Sequence, residues 1–272
     1  MSLQNSSSSS FSLKRRQWLS LAGAGLLGSL APRLVHATPT SWQQVDAARN
    51  SVGTAKVLNE GLQLTLPLVA EDGSSVPLTV SSQALQGTRI TRLELFAPGN
   101  PTPEVAIFEF GPEIQTVNLA TRIRLSESQT VIAVAHTEDG RALVAERPVR
   151  VTVSGCIAPA APDPASEMKA RVRVPDAWAL GAPVEVLTMI SHPMVTGLAQ
   201  DKSGQTPPTR IIERFEATLN GQPLINARYF RSLAANPYLK FGLTPQQAGE
   251  LALQWVEDTG RKVEHHADIQ QA

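Results

Sequence analysis

The chain has a single cysteine, Cys156, in 272 residues. No intramolecular disulfide can form, and a zinc site built from cysteines alone is excluded. It carries no net charge, because 24 Lys and Arg balance 24 Asp and Glu. That excludes an acidic or basic tail protein and gives no electrostatic case for nucleic-acid binding. No apolar run reaches the roughly 20 residues that a membrane-spanning helix needs. A Gly-rich phosphate loop, a G-x-S-x-G elbow and a visible pair of catalytic carboxylates are also missing. Glycine and proline number 18 and 20. This suits an all-β chain with many turns and is too little for a disordered one.

What is there begins with an address. Residues 1–13 are polar and Ser-rich, and Lys14-Arg15-Arg16-Gln17-Trp18-Leu19-Ser20 follows. A short apolar run over residues 19–30 leads to Val35-His36-Ala37, a small-residue cleavage site. This is the tripartite secretory pattern, and the paired arginines give it a twin-arginine character. Residues 1–37 are therefore expected to be a cleaved signal peptide. Cleavage removes four basic residues, Lys14, Arg15, Arg16 and Arg33, and no acidic one. The mature chain is then mildly acidic and expected in the bacterial periplasm, with no membrane association.

The remainder reads as all-β. Ser41-x-x-Gln44 predicts a capping box for a short helix over 42–50, with Trp42 and Val45 as its apolar contacts. After it, period-2 alternation dominates. Leu62, Leu64, Leu66 and Leu68 alternate with other residues, as do Val117, Leu119, Thr121, Ile123 and Leu125. Segments 90–96, 104–110, 130–136 and 142–153 add further strands. Asp72-Gly73 and Asp139-Gly140 carry the tight-hairpin signal, because such turns need positive φ. The expectation is an Ig-like antiparallel sandwich over residues 42–156. Residues 157–167 hold three prolines among small residues and read as a semi-rigid linker. Alternation resumes at Ala170, Val172, Val174 and at Val184, Val186, Thr188, Ile190. It returns at Leu251, Leu253, Trp255 and at Val263, His265, Ala267, Ile269, with Asn220-Gly221 and Thr259-Gly260 as hairpins. A second sandwich is expected over 168–270. The halves share no residue-level repeat.

Cys156 closes the first half. It follows Val149, Val151 and Val153 and is preceded by Ser154-Gly155. A leftover cysteine in an exported protein points to a reactive thiol or an intermolecular bond. A disulfide-linked dimer through Cys156 is the expected product of oxidation. The nearest basic residues in sequence are Arg147, Arg150 and Lys169.

The two halves resemble SoxY and SoxZ, partners in a periplasmic sulfur-carrier complex. The SoxY-like residues are Asn100-Pro101-Thr102-Pro103-Glu104-Val105-Ala106, Thr121-Arg122-Ile123-Arg124-Leu125, residues 128–135 and the terminal Val151-Thr152-Val153-Ser154-Gly155-Cys156. The SoxZ-like half carries Arg171-Val172-Arg173-Val174-Pro175, Ile190-Ser191-His192-Pro193-Met194-Val195-Thr196-Gly197, Phe215-Glu216-Ala217-Thr218-Leu219-Asn220-Gly221 and Ala235-Asn236-Pro237-Tyr238-Leu239. The resemblance implies two Ig-like sandwiches in tandem. It also implies a non-catalytic carrier that holds a sulfur species covalently on Cys156, with Gly155 in the carrier arm and periplasmic Sox-type enzymes as partners.

In SoxY the arm is a Gly-Gly-Cys-Gly-Gly tail at a free C-terminus. Here Ser154 replaces the first Gly, Ile157 and Ala158 replace the last two, and the chain runs on. The fused arrangement resembles SoxYZ-like carriers associated with quinoprotein (PQQ-dependent) dehydrogenases. An accessory or assembly module for such a dehydrogenase, with Cys156 incidental, is the alternative. No cofactor of the chain's own is expected.

Other polar residues read as structural. His192 is expected to be a turn histidine. His265 and His266 are adjacent on a strand, so they point to opposite faces, His266 to solvent with Glu264 and Asp268. Met189 and Met194 are too isolated for a copper site, and no metal site is expected.

Overall fold

The computed structural model describes residues 42–58, 60–155, 168–200 and 204–272. The expected signal peptide, Ser41, Cys156 and the 157–167 linker lie outside the described residues. A 3-10 turn over Trp42–Gln44 leads into α1 (Asp46–Val52). Nine strands complete the first half: β1 (Lys56–Leu58), β2 (Leu62–Thr65), β3 (Val69–Asp72), β4 (Val76–Ser82), β5 (Ile90–Phe96), β6 (Glu104–Phe110), β7 (Asn118–Ile123), β8 (Gln129–Thr137) and β9 (Arg141–Val153). The second half holds β10 (Lys169–Arg173), β11 (Ala177–Trp178), β12 (Val184–Ser191), β13 (Ile212–Leu219), β14 (Gln222–Tyr229), β15 (Tyr238–Leu243), β16 (Gly249–Glu257) and β17 (Lys262–Gln271).

The strands form two sheets, and both sheets cross from one half to the other. The large sheet runs β1-β9-β8-β5-β6-β14-β13-β16-β17-β11, with β3 also on β9. The small sheet runs β10-β12-β15-β7-β4-β2. The seam is the β6–β14 ladder in the first, where Phe108 faces Ala227, and the β7–β15 ladder in the second, where Leu119 faces Phe241. One apolar core therefore serves both halves. It contains Leu78, Phe108 and Leu119 from the first, and Phe215, Phe241 and Trp255 from the second. Phe108 meets Tyr229 edge-on across the seam, with ring centroids 6.1 Å apart. The described residues, within 42–272, fold as one compact unit.

The all-β expectation holds, and the two sandwiches are joined edge to edge through shared sheets. Antiparallel pairing dominates, but β1 and β3 lie parallel to β9, and β11 lies parallel to β17. Asp139-Gly140, Asn220-Gly221 and Thr259-Gly260 do join neighbouring antiparallel strands.

Three local expectations fail. Asp72-Gly73 is not a hairpin: β3 pairs with β9, whereas β4 pairs with β2 and β7. The turn hands the chain from one sheet to the other. The helix begins at Asp46 with Val45 as its N-cap and no side-chain cap bond. The two expected apolar contacts are made: Val45, with Ala48 and Val52, joins a second cluster with Phe96, Ile132, Val134, Ala142 and Val144, and Trp42 packs against it. Finally, β2 stops at Thr65, before Pro67. The alternation therefore breaks, and Leu68 is 64% exposed while Leu66 is buried.

Candidate functional site

The expected site is the place where β9 delivers the chain to Cys156. β9 is long because it serves three neighbours in turn. β1 and β8 flank its first part, and β3 takes its last residues, with Ala70 opposite Val151 and Asp72 opposite Val153. Beyond β9 the backbone stays bonded. The Gly73 N–H donates to the Val153 carbonyl at 2.8 Å, and the Gly155 N–H donates to the Leu125 carbonyl at 2.9 Å. The Leu125 N–H donates to the Gly73 carbonyl at 2.8 Å, which closes the circuit. Gly73 and Gly155 are both buried.

The turn that supplies Gly73 is itself held. Asp72 accepts the Ser74 N–H at 2.7 Å and the Ser74 hydroxyl at 2.8 Å. Those two bonds, the backbone one first, hold its carboxyl below the ordinary carboxylate range. The exposed large apolar side chains among the described residues are Leu68, Val69, Val153 and Leu180, and the first three belong to the β3–β9 pair or its approach. Arg150 is exposed and pairs with Val69 in the ladder. The Val151 N–H donates to the Ser128 hydroxyl at 3.0 Å.

His192, His265 and His266 are the three histidines the sequence singles out among the described residues. His192 follows β12 and is buried, with its backbone N–H on the Asn236 side-chain carbonyl at 3.0 Å. Its Nδ1 accepts the Met194 N–H at 3.1 Å, so the proton sits on Nε2, which faces Glu257 Oε1 at 2.9 Å. Burial holds the His192 pKa below its ordinary value, against the pull of Glu257. Burial pushes the Glu257 carboxyl the other way, but bonds from Thr259 and His192 overcome it and its pKa is lowered. Arg210 and Arg261 approach the same oxygen at 3.5 and 3.9 Å. The result is a neutral imidazole on a buried carboxylate. His265 is half-buried and His266 exposed, as the strand parity requires. His266 Nδ1 lies 2.7 Å from Glu250 Oε1. Met194 is fully buried, and its sulfur accepts the Ile212 N–H at 3.2 Å. Among the described residues, no three His, Cys, Asp or Glu side chains gather at metal-binding distance. No helix among them is long and apolar enough to cross a membrane.

Two further groupings escape the sequence. Ser51 Oγ, His136 Nε2 and Glu94 Oε1 meet on α1, β8 and β5, at 3.0 Å for Ser51–His136 and 3.4 Å for His136–Glu94. The serine and the carboxylate share one ring nitrogen, whereas a nucleophile relay needs them on opposite ones. The cluster ties the helix to the sheet. Its hydrogen bonds from His136, Arg92 and Ser51 outweigh burial and pull the Glu94 pKa down to about 2. Asn100 is the other. Its amide donates to the Arg124 carbonyl at 2.8 Å and to Ser232 Oγ at 2.9 Å, and its oxygen accepts from Ser126 and Gln129. It joins the halves, and its place in the Asn100–Ala106 motif is the signal that could have found it. A depression of about 550 Å³ lies over β5, β6, β14 and β13, lined by Arg92, Glu109, Arg214 and Arg228 among others. None of its lining residues comes from β3 or β9.

No curated protein sequence matches the chain. Among solved structures, the sulfur carrier protein SoxY from Chlorobium limicola f thiosulfatophilum is similar at 29% identity. The match covers 40% of this chain and 94% of that one, with a TM-score of 0.34. A superoxide reductase (neelaredoxin) from Ignicoccus hospitalis is similar at 16% identity, over 34% of this chain and 80% of that one, with a TM-score of 0.29. Residues 48–156 match the family model of the sulfur oxidation protein SoxY, and residues 172–268 match that of SoxZ. The two domains stand in tandem on one polypeptide, and the chain belongs to the sulfur-oxidation carrier family as a fused SoxYZ-like protein.

Proposed function

We propose that the protein is a periplasmic, non-catalytic carrier that holds a sulfur species covalently on Cys156 and presents it to partner enzymes. The observation that carries the reading is where the SoxY match ends. Its last residue is Cys156, one peptide bond beyond Gly155, whose amide is bonded into the fold. The family implies enzymes of the Sox system as the partner class.

The chemistry is that of a thiolate meeting sulfur. Transfer from a persulfide or disulfide donor makes one S–S bond as another breaks, with no net oxidation. Joining the thiolate to a thiosulfate-type anion removes two electrons, which a partner redox enzyme must take up. No second cysteine in the chain can displace the adduct. When no cargo is present, oxidation joins two copies through Cys156. Residues 1–37 direct the chain to the periplasm by the twin-arginine route, and the second half acts as a built-in SoxZ partner.

The test is a Cys156→Ser variant at wild-type abundance in a host that needs the protein for oxidation of reduced sulfur. The variant is expected to fold and to lose that oxidation. Full activity would instead select the accessory-module reading, in which the cysteine is incidental. Cell fractionation checks the route: Arg15→Lys with Arg16→Lys should leave precursor in the cytoplasm. Normal periplasmic levels of that variant would assign export to the general secretory pathway.

A further inference from the structure

Gly73 and Gly155 are in contact through their backbones. A Cβ placed on Gly155 would lie 1.9 Å from the Gly73 carbonyl oxygen and 2.3 Å from the Ser74 nitrogen. A Cβ placed on Gly73 would lie 2.3 Å from the Leu125 carbonyl oxygen and 2.9 Å from the Gly155 nitrogen. All of these are backbone atoms, so no side chain can rotate away to make room. Neither glycine is among those with positive φ. Glycine is required at both positions for space, and backbone conformation does not explain it. The contact is bracketed by the three hydrogen bonds that link Val153, Gly73, Leu125 and Gly155. Leu125 is fully buried, so the partner that anchors Gly155 is itself part of the core.

We propose that Gly73 is a positioning residue for the carrier arm: with Leu125 it clamps Gly155 and so fixes where the Cys156-bearing segment leaves the fold. This rests on the carrier reading of Cys156. Gly155 is held between the Leu125 carbonyl, which accepts its amide, and the Gly73 backbone. Asp72 and Ser74 support the clamp by holding the turn that presents Gly73. A fixed root limits the volume the thiol can sweep, and a confined end raises its effective concentration at a docked partner.

The clamp is tested on the full-length mature protein by thiol alkylation and amide exchange. Cys156 is labelled with a small reagent, iodoacetamide, and with a bulky maleimide, in the parent chain and in Gly73→Ala, Gly155→Ala and the double variant. Releasing the root should raise the bulky-to-small rate ratio several-fold in either single variant. The double variant should match the single ones, because the same contact is lost in each. An unchanged ratio in a folded variant, or effects that simply multiply in the double variant, would overturn the proposal. If neither variant folds, amide exchange of the unmodified protein decides. The Gly73, Leu125 and Gly155 amides should be protected like those of β9, and exchange at exposed-loop rates would contradict the clamp. These readouts need no cargo. An absence of sulfur adducts would end the carrier reading and leave the clamp result standing. A thiol that neither reagent reaches in any folded variant would end the carrier reading too, with amide exchange still reporting on the clamp.

Discussion

His192 and Glu257 show how one side chain's surroundings set its protonation and make it answer to pH. The Met194 amide occupies Nδ1, so His192 can take up a second proton only by giving up that bond. Its folded pKa lies below 6.5, the ordinary value that the unfolded chain keeps. The folded state therefore binds fewer protons than the unfolded one as pH falls below about 6.5, and stability is lost through the folded pKa. Glu257, also lowered, adds a second loss that starts below about 4.5 and continues through its folded pKa. His192→Gln keeps a donor for Glu257 and an acceptor for Met194 but cannot titrate. Urea midpoints between pH 7.5 and 5 should then be nearly flat in the variant and fall in the parent. Equal slopes would mean that His192 titrates alike in both states. Glu257→Gln should destabilise at neutral pH by roughly 3 kcal/mol, because it removes the charge that Arg210 and Arg261 approach. Glu257 was invisible beforehand, since 65 residues separate it from His192.

At the scale of elements, what is local was legible and what is long-range was not. Asn220 and Gly221 both have positive φ, 51° and 75°, as the Asn-Gly signal demands of a tight hairpin. Asn220 also accepts the Glu250 N–H and donates to the Ala248 carbonyl, which no pattern announces. Asp72-Gly73 carries the same kind of signal yet joins strands of different sheets, because β3 finds its partner on β9, far along the chain. β4 was hidden by Pro77, although Val76, Leu78 and Val80 alternate inward. The proline is tolerated because β2 pairs only with residues 79–82, so β4 is locally an edge at Pro77. The parity of His265 and His266 was readable because a strand's two faces follow from sequence alone. The clamp on Gly155 was not, since it depends on a turn and on Leu125 brought from elsewhere.

The whole molecule is set by the seam. Two ladders, the shared core around Phe108, and the Asn100–Ser232 hydrogen bond all cross it. Composition and alternation gave the all-β class and two β-rich halves, but nothing in one sequence shows that β6 pairs with β14. Cutting the chain near Pro162 should therefore leave the halves together. They are expected to co-elute on gel filtration at micromolar concentration, because the ladders and core remain intact. Separation at that concentration would make the 157–167 segment a simple tether. Phe108→Ala should cost about 3–5 kcal/mol and lower the stability of both halves in a single unfolding transition. Two separate transitions would contradict the shared core.

The most direct test is the intact mass of the protein isolated from its native cells during growth on reduced sulfur, followed by peptide mapping. Discrete sulfur adducts should appear on the peptide that contains Cys156 and disappear on mild reduction. A plain thiol at Cys156 under every growth condition would contradict the carrier function.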